Sequence, residues 1–238
     1  MRVEIRVYWI LIYLICLIFL PFLHDVWYNV IKSVKGCLNM TVIMGQKTAN
    51  KMYLGADNRV CTTEDKFIRD NDNKIVVVNK NVAVAFAGNA GMQLLFEKII
   101  KNQKEDIVVE DVLKCLENVY TISNVLYLVK KYRTALDCAS RFIIAGKNRT
   151  GEYCMYTMSI VNRKLERPQL VDKAVFSPSD VNVKECNKIY DKYIKTSDPN
   201  FIQNTIKDIS KISKVISSSG DIWMCDITTG ESSLEHFE

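Results

Sequence analysis

Two histidines, His24 and His236, stand near opposite ends of a 238-residue chain. One lies beside an apolar run and the other at the C-terminus, so neither is placed for a Ser-His or Cys-His couple. No GxSxG, phosphate loop or HExxH occurs either. The eight cysteines form no CxxC pair, which argues against a Cys/His metal module. Scattered singly through apolar segments, they read as buried free thiols of a reducing compartment. A nucleophile without a histidine must find its base elsewhere. One solution is a threonine whose own α-amine accepts the proton, which requires that threonine to be the first residue of the mature chain. Met40-Thr41 offers this arrangement, because an initiator methionine is readily trimmed before a small residue.

The elements around Thr41 must then hold it. Thr41–Lys47 and Lys51–Asp57 read as short strands joined by the tight turn Thr48-Ala49-Asn50. Lys74–Val78 and Val82–Ala87 repeat the arrangement around Asn79-Lys80-Asn81. Apolar residues then recur at three and four (Leu94, Leu95, Ile99; Val109, Val112, Leu116, Val119), which predicts two helices broken near 102–106. A second strand pair, Arg141–Ala145 and Glu152–Ser159, spans the turn-rich stretch Gly146–Gly151. Residues 180–195 and 199–214 are helix-like, the second opened by Asp198-Pro199, and Ile222–Ile227 supplies a late strand. Strands and helices in alternating pairs suit an α+β stack with two facing sheets and helices on both outer faces.

In this frame, Thr41-Val-Ile-Met-Gly, Leu54-Gly-Ala-Asp57-Asn-Arg59, Asn73-Lys74-Ile75 and Phe86-Ala-Gly88-Asn-Ala90 resemble the catalytic β-type subunit of the proteasome family. That family includes the peptidase subunit of the bacterial two-component HslV-like protease. Thr41 to Asp57 has the family's spacing, as does Lys74 to Gly88, and one extra residue falls in the loop Cys61–Asp72. Phe142-Ile-Ile-Ala-Gly146 with Tyr153-Cys-Met-Tyr156 resembles the second strand pair. The likeness covers about residues 41–160 well and the rest weakly. It implies a four-layer αββα sandwich, the N-terminal nucleophile hydrolase fold, acting as a threonine endopeptidase. Thr41 would be the nucleophile and Lys74, held near Asp57, would lower its pKa. Gly88 N–H would meet the oxyanion, Arg59 would support Asp57 by charge pairing, and Val60 and Ala90 would shape the substrate pocket. No cofactor is implied. The expected partners are polypeptide substrates, further copies in a homo-oligomeric ring, and an ATPase unfoldase.

Taken singly these residues have plainer uses. Asp57 could be a solvated turn acid, Lys74 a strand-start lysine, and Gly88-Asn89 a helix-capping turn. Only their joint spacing favours catalysis. The C-terminal half departs from the family pattern. Its Gly-Ser-Gly turn is replaced by Phe176-Ser-Pro-Ser179-Asp180, with Ser179 the candidate for the turn serine. Its Asp-x-x-Ser-Gly-Gly becomes Ile216-Ser-Ser-Ser219-Gly220-Asp221, which keeps Ser219 but puts Ile216 at the aspartate. A catalytically silent ring or scaffold subunit of the same fold is therefore the alternative.

Composition sets the outer bounds. With 48% hydrophobic and 25% charged residues the chain can bury one sizeable core, and a net charge of +5 without a basic block argues against nucleic acid as a ligand. Residues 1–40 form a hydrophobic leader ahead of a domain at 41–238. Val7–Leu23 carries no charge and is at the lower length limit for a bilayer span, and no small-x-small cleavage site follows it. Three origins compete: a propeptide removed before Thr41, a membrane anchor, or an upstream extension of a chain whose translation starts at Met40. The codons of Lys35-Gly36 form a purine run at a spacing suited to ribosome binding, which favours the last. A cytoplasmic location follows from a Met40 start, and a membrane location from an anchor.

Overall fold

Strand β6 (Val82–Ala87) shows how the chain builds its core. Its sequence VAVAFA alternates branched or aromatic residues with alanine, and a strand turns alternate side chains to opposite faces. Val82, Val84 and Phe86 therefore meet helices, while Ala83, Ala85 and Ala87 meet a second sheet. Small side chains on that inner face let two sheets approach closely.

The structure is a computed structural model and describes residues 41–61, 67–101, 106–130 and 139–238. In chain order it runs β1 (Ile43–Lys47), β2 (Lys51–Asp57), β3 (Val60–Cys61), β4 (Phe67–Arg69), β5 (Ile75–Asn79) and β6. Helices α1 (Ala90–Ile100) and α2 (Val109–Lys130) follow, then β7 (Ser140–Lys147), β8 (Tyr153–Val161), β9 (Lys164–Leu165), β10 (Gln169–Leu170) and β11 (Lys173–Phe176). Helices α3 (Val183–Lys195) and α4 (Phe201–Ser210) and strands β12 (Gly220–Asp226) and β13 (Ser232–Phe237) complete it. The class is α+β with antiparallel sheets. One sheet has the order β11-β1-β2-β12-β13, another β10-β8-β7-β6-β5 with β9 beside β8, and β3-β4 is a separate hairpin.

Three apolar clusters hold these parts. Val82, Val84, Phe86, Phe142 and Ile144 pack against Leu95, Phe96, Ile100, Val112, Leu116 and Val119 of α1 and α2. Phe86 and Phe142 meet edge to face at 5.4 Å, a geometry the ring quadrupoles favour. Between the sheets, Ile43, Leu54, Ala56 and Trp223 face Ala83, Ala85, Ile143 and Met155. Beyond the first sheet, Val42 and Met44 meet Cys186 and Tyr190 of α3 and Ile202, Ile206 and Ile209 of α4. Gly55 makes this last contact possible, because a Cβ there would stand 2.2 Å from Ile202 Cγ2. Gly55→Val should overpack the α4 contact and cost about 1–3 kcal/mol. The check is a denaturant midpoint, and an unchanged midpoint would mean that α4 can shift freely.

Both expected hairpins of the N-terminal half form. Thr48 Oγ1 donates to Lys51 O and accepts from Lys51 N, each at 3.0 Å, closing the β1–β2 turn. Asn81 N donates to Asn79 Oδ1 at 2.9 Å in the β5–β6 turn. The helix-like span 180–195 begins at Val183, where Asn182 Oδ1 accepts from Lys184 N. The span 199–214 contracts to Phe201–Ser210: Pro199 stays outside, and Asp198 accepts from Asn200 N and Asn204 Nδ2. The loop 61–72 contains the hairpin β3–β4, and β9, β10, β11 and β13 are additions to the expected strands. The described cysteines, at 61, 115, 154, 186 and 225, are all buried, and burial pushes the thiols of Cys115 and Cys186 up to about 12. Val7–Leu23 and the rest of the leader lie outside the described residues. Among the described residues no helix is long and apolar enough to cross a membrane.

Candidate functional site

Asp57 ends β2, and its carboxylate is wholly buried at the position opposite Val42. Asp57 N donates to Val42 O at 3.3 Å, and Val42 N returns a bond to Asp57 Oδ1 at 3.0 Å. The strand pairing thus fixes Asp57 one residue from Thr41. Lys74, only 7% exposed, reaches the same oxygen with Nζ at 3.1 Å and donates to Arg59 O at 2.6 Å. Its backbone is held too, since Lys74 O accepts from Phe86 N at 2.9 Å. Asp57 Oδ2 accepts from Arg59 N at 3.0 Å and Ser217 N at 3.4 Å.

Burial pushes the Asp57 carboxyl above its ordinary value, while the Lys74 ammonium and the N–H groups of Arg59 and Val42 pull the other way. Every one of these partners is a donor, so the arrangement fits a carboxylate, which accepts and cannot donate. Lys74 gives two of its three N–H donors to Asp57 and Arg59, which leaves a third for a group in the cleft above it.

Gly88 follows β6 with φ +107°, a left-handed conformation. A Cβ there would lie 2.2 Å from Ala139 O, so only glycine fits both the angle and the space. Asn89 then caps α1, its Oδ1 accepting from Gly91 N at 2.7 Å. Its neighbouring amides are met within the fold too: Asn89 N donates to Ser140 Oγ at 3.4 Å and Met92 N to Asn89 O at 3.0 Å.

One cleft of about 480 Å3, counted to its open mouth, gathers these parts. Of the residues singled out in the sequence, Thr41, Arg59, Val60, Lys74, Gly88 and Ala90 line it, and Asp57 lies beneath Lys74. Cys61, Asp72, Asn89 and Gln93 also line it and were not anticipated. Gln93 Nε2 donates to Asn73 O at 2.9 Å, tying α1 to the segment before Lys74.

Three expectations need correction. Arg59 does not pair its charge with Asp57; its guanidinium grips Asp70 through Nε and Nη2, each at 2.8 Å, and lies over Phe67. What Arg59 lends to Asp57 is its backbone N–H. Ser219, expected among the catalytic residues, is not among those that line the cleft. It bonds through its carbonyl to Asn58 N and through Oγ to Ser217 Oγ, whereas Ser217 supplies the amide on Asp57. Ser179 is exposed and outside the cleft, and Ser177, two residues earlier, is the buried serine of that turn. Ile216 is 1% exposed and belongs to the cluster with α3 and α4, so no carboxylate stands there. In three consecutive serines the sequence holds no signal for which amide reaches Asp57.

His236 also proves nearer the site than its place in the chain suggested. Its Nδ1 lies 3.0 Å from Asp221 Oδ1 and within 3.2 Å of the side chain of Asn58, the residue after Asp57. Among the described residues no three His, Cys, Asp or Glu side chains converge as a metal site. In comparisons with known proteins, no family model matches the chain and no curated protein matches it.

Proposed function

We propose that the protein is a threonine-type endopeptidase subunit of a proteasome-like self-compartmentalising protease. The observation that carries this reading is the buried Lys74–Asp57 pair beneath a cleft lined by Thr41 and Gly88. A buried ion pair is a weak way to stabilise a fold, and a perturbed carboxyl at a cleft is a mark of chemistry. The helix–sheet, sheet–sheet and sheet–helix clusters support a four-layer αββα sandwich of the N-terminal nucleophile hydrolase kind.

The reaction requires removal of residues 1–40, so that Thr41 begins the chain with a free α-amine. Thr41 Oγ attacks the peptide carbonyl, and the α-amine takes its proton, directly or through a water. The Lys74 charge favours the developing alkoxide. The Gly88 N–H stabilises the oxyanion, a role whose removal typically slows catalysis by about a hundredfold or more. The amine product leaves with the proton, and water hydrolyses the Thr41 ester. Closed rings of identical subunits and an ATPase that feeds unfolded chains are the partners this reading entails.

The test is covalent labelling. Protein whose intact mass shows Thr41 as first residue is incubated with a peptide epoxyketone, which reacts with both Oγ and the α-amine. A mass adduct at Thr41, absent from Thr41→Ala, is the expected result. Peptide cleavage in Thr41→Ala should fall at least about a thousandfold. Ile216, buried where the family pattern puts an aspartate, favours a second reading: a silent ring or scaffold subunit. An unlabelled Thr41 with no cleavage would establish that reading instead.

A further inference from the structure

Behind Asp57, a line of polar groups leads away from the cleft to the edge strand β13. Asn58 is the link. It is 3% exposed and lies between Asp57 and Arg59, the two residues that accept from Lys74. Asn58 N donates to Ser217 Oγ at 3.2 Å and Ser219 O at 3.3 Å, and Asn58 O accepts from Asp72 N at 3.2 Å. Its amide orientation follows from its neighbours. Nδ2 donates to Asp221 Oδ2 at 2.8 Å and Asp72 O at 3.2 Å, and Oδ1 accepts from His236 Nδ1 at 3.2 Å. The same His236 nitrogen lies 3.0 Å from Asp221 Oδ1. One N–H at Nδ1 thus faces two acceptors, which fixes the tautomer of the ring.

Asp221 is the costly member. It is 6% exposed on β12, directly opposite Ala56 on one side and His236 on the other. A carboxylate so placed destabilises the fold unless donors meet both oxygens, and Asn58 and His236 do so. The carboxylate holds the Asn58 side chain in place. A turn of the Asn58 backbone would move Asp57 and Arg59 together, and with them both acceptors of the ammonium.

We infer that Asp221 and His236 are positioning residues for Lys74, acting through Asn58. The inference rests on the proposed peptidase reading for the use made of Lys74, and on geometry alone for the coupling. It can be tested on the full chain by 15N NMR of the lysine ammonium groups, which leaves every N–H in place, with the Lys74 resonance assigned by its loss in Lys74→Arg. His236 is half exposed, so His236→Ala should fold with a melting temperature near that of the wild type. The expected result is a displaced Lys74 resonance in His236→Ala and in Asp221→Asn. His236→Gln, which restores an N–H toward Asp221, should return the resonance toward its wild-type position. In protein that labels at Thr41, His236→Ala should slow adduct formation about tenfold, as loss of a hydrogen bond to a charged group does. An unmoved Lys74 resonance in His236→Ala overturns the inference, and so does a wild-type labelling rate in that variant. If wild-type Thr41 takes no label, the peptidase reading falls and the Lys74 resonance alone decides the coupling.

Discussion

Lys74→Met is expected to cost about 3–5 kcal/mol of folding stability, because it strands a buried carboxylate. Methionine keeps the length of the side chain and loses the ammonium. Asp57, with no exposure to water, then holds its charge against only the amides of Val42, Arg59 and Ser217. The pH dependence carries the sign of the effect. Burial already raises the Asp57 carboxyl, and loss of Lys74 removes the largest opposing influence, so it must rise further. A carboxyl raised in the folded state binds a proton more readily there than in the unfolded chain. The deficit of Lys74→Met is therefore largest at neutral pH and shrinks on acidification, when the folded state takes up the proton. Urea midpoints of wild type and variant at pH 7 and pH 5 measure this. Equal gaps at both values would mean that loss of Lys74 does not change the protonation of Asp57 over this range. On the proposed peptidase reading, catalysis should disappear in the same variant, since the Lys74 ammonium would be lost from the cleft that Thr41 lines.

Gly88→Ala is expected to cost about 3 kcal/mol, near the top of the range for a residue held in a forbidden backbone region. The added carbon meets Ala139 O at 2.2 Å and Ser140 Cα at 2.9 Å, and both atoms belong to backbone that cannot rotate aside. Relief would require the end of β6 to separate from the start of β7, which opens the wall of the cleft. Gly151→Ala is the control. Gly151 also has a positive φ, +89°, but a Cβ there meets only the flexible Lys147 Cε at 3.7 Å. It isolates the cost of the angle from the cost of the space. Thermal melts of the two variants should separate clearly. Equal losses would show that the approach of Ala139 has no energetic consequence.

Much of this site can be read from the sequence because its parts are local. Asp57 and Lys74 end or begin strands whose alternation is plain, and Gly88 sits where alternating residues give way to a helical period. Spacing along two hairpins is then enough to bring Thr41, Asp57 and Lys74 together. What the sequence conceals depends on distant pairing. Ser217 and Ser219 differ only in which amide the backbone presents to Asp57, and that depends on how residues 215–219 enter β12. Arg59 is offered two acids, Asp57 and Asp70, and the hairpin β3–β4 brings the second into bidentate reach. Strand β11 is four residues long, and β13 is largely exposed, so neither has the apolar alternation by which strands are recognised. His236 looked idle for the same reason: only its register opposite Asp221 places it beside Asn58.

The order of strands in the first sheet has a consequence for timing. β2 lies between β1, its neighbour in the chain, and β12, whose Gly220 pairs with Asp57. β1 in turn is flanked by β11, Ile43 opposite Phe176. A chain emerging from the ribosome can form the β1–β2 hairpin early, but that hairpin stays an open two-stranded ribbon until residues 173–226 have been made. Closing loops of that length is slow compared with local pairing. Ser217 delivers its amide to Asp57 only then, so the acid beneath Thr41 is completed last. On the proposed peptidase reading, a nascent chain therefore carries an unfinished site throughout its own synthesis.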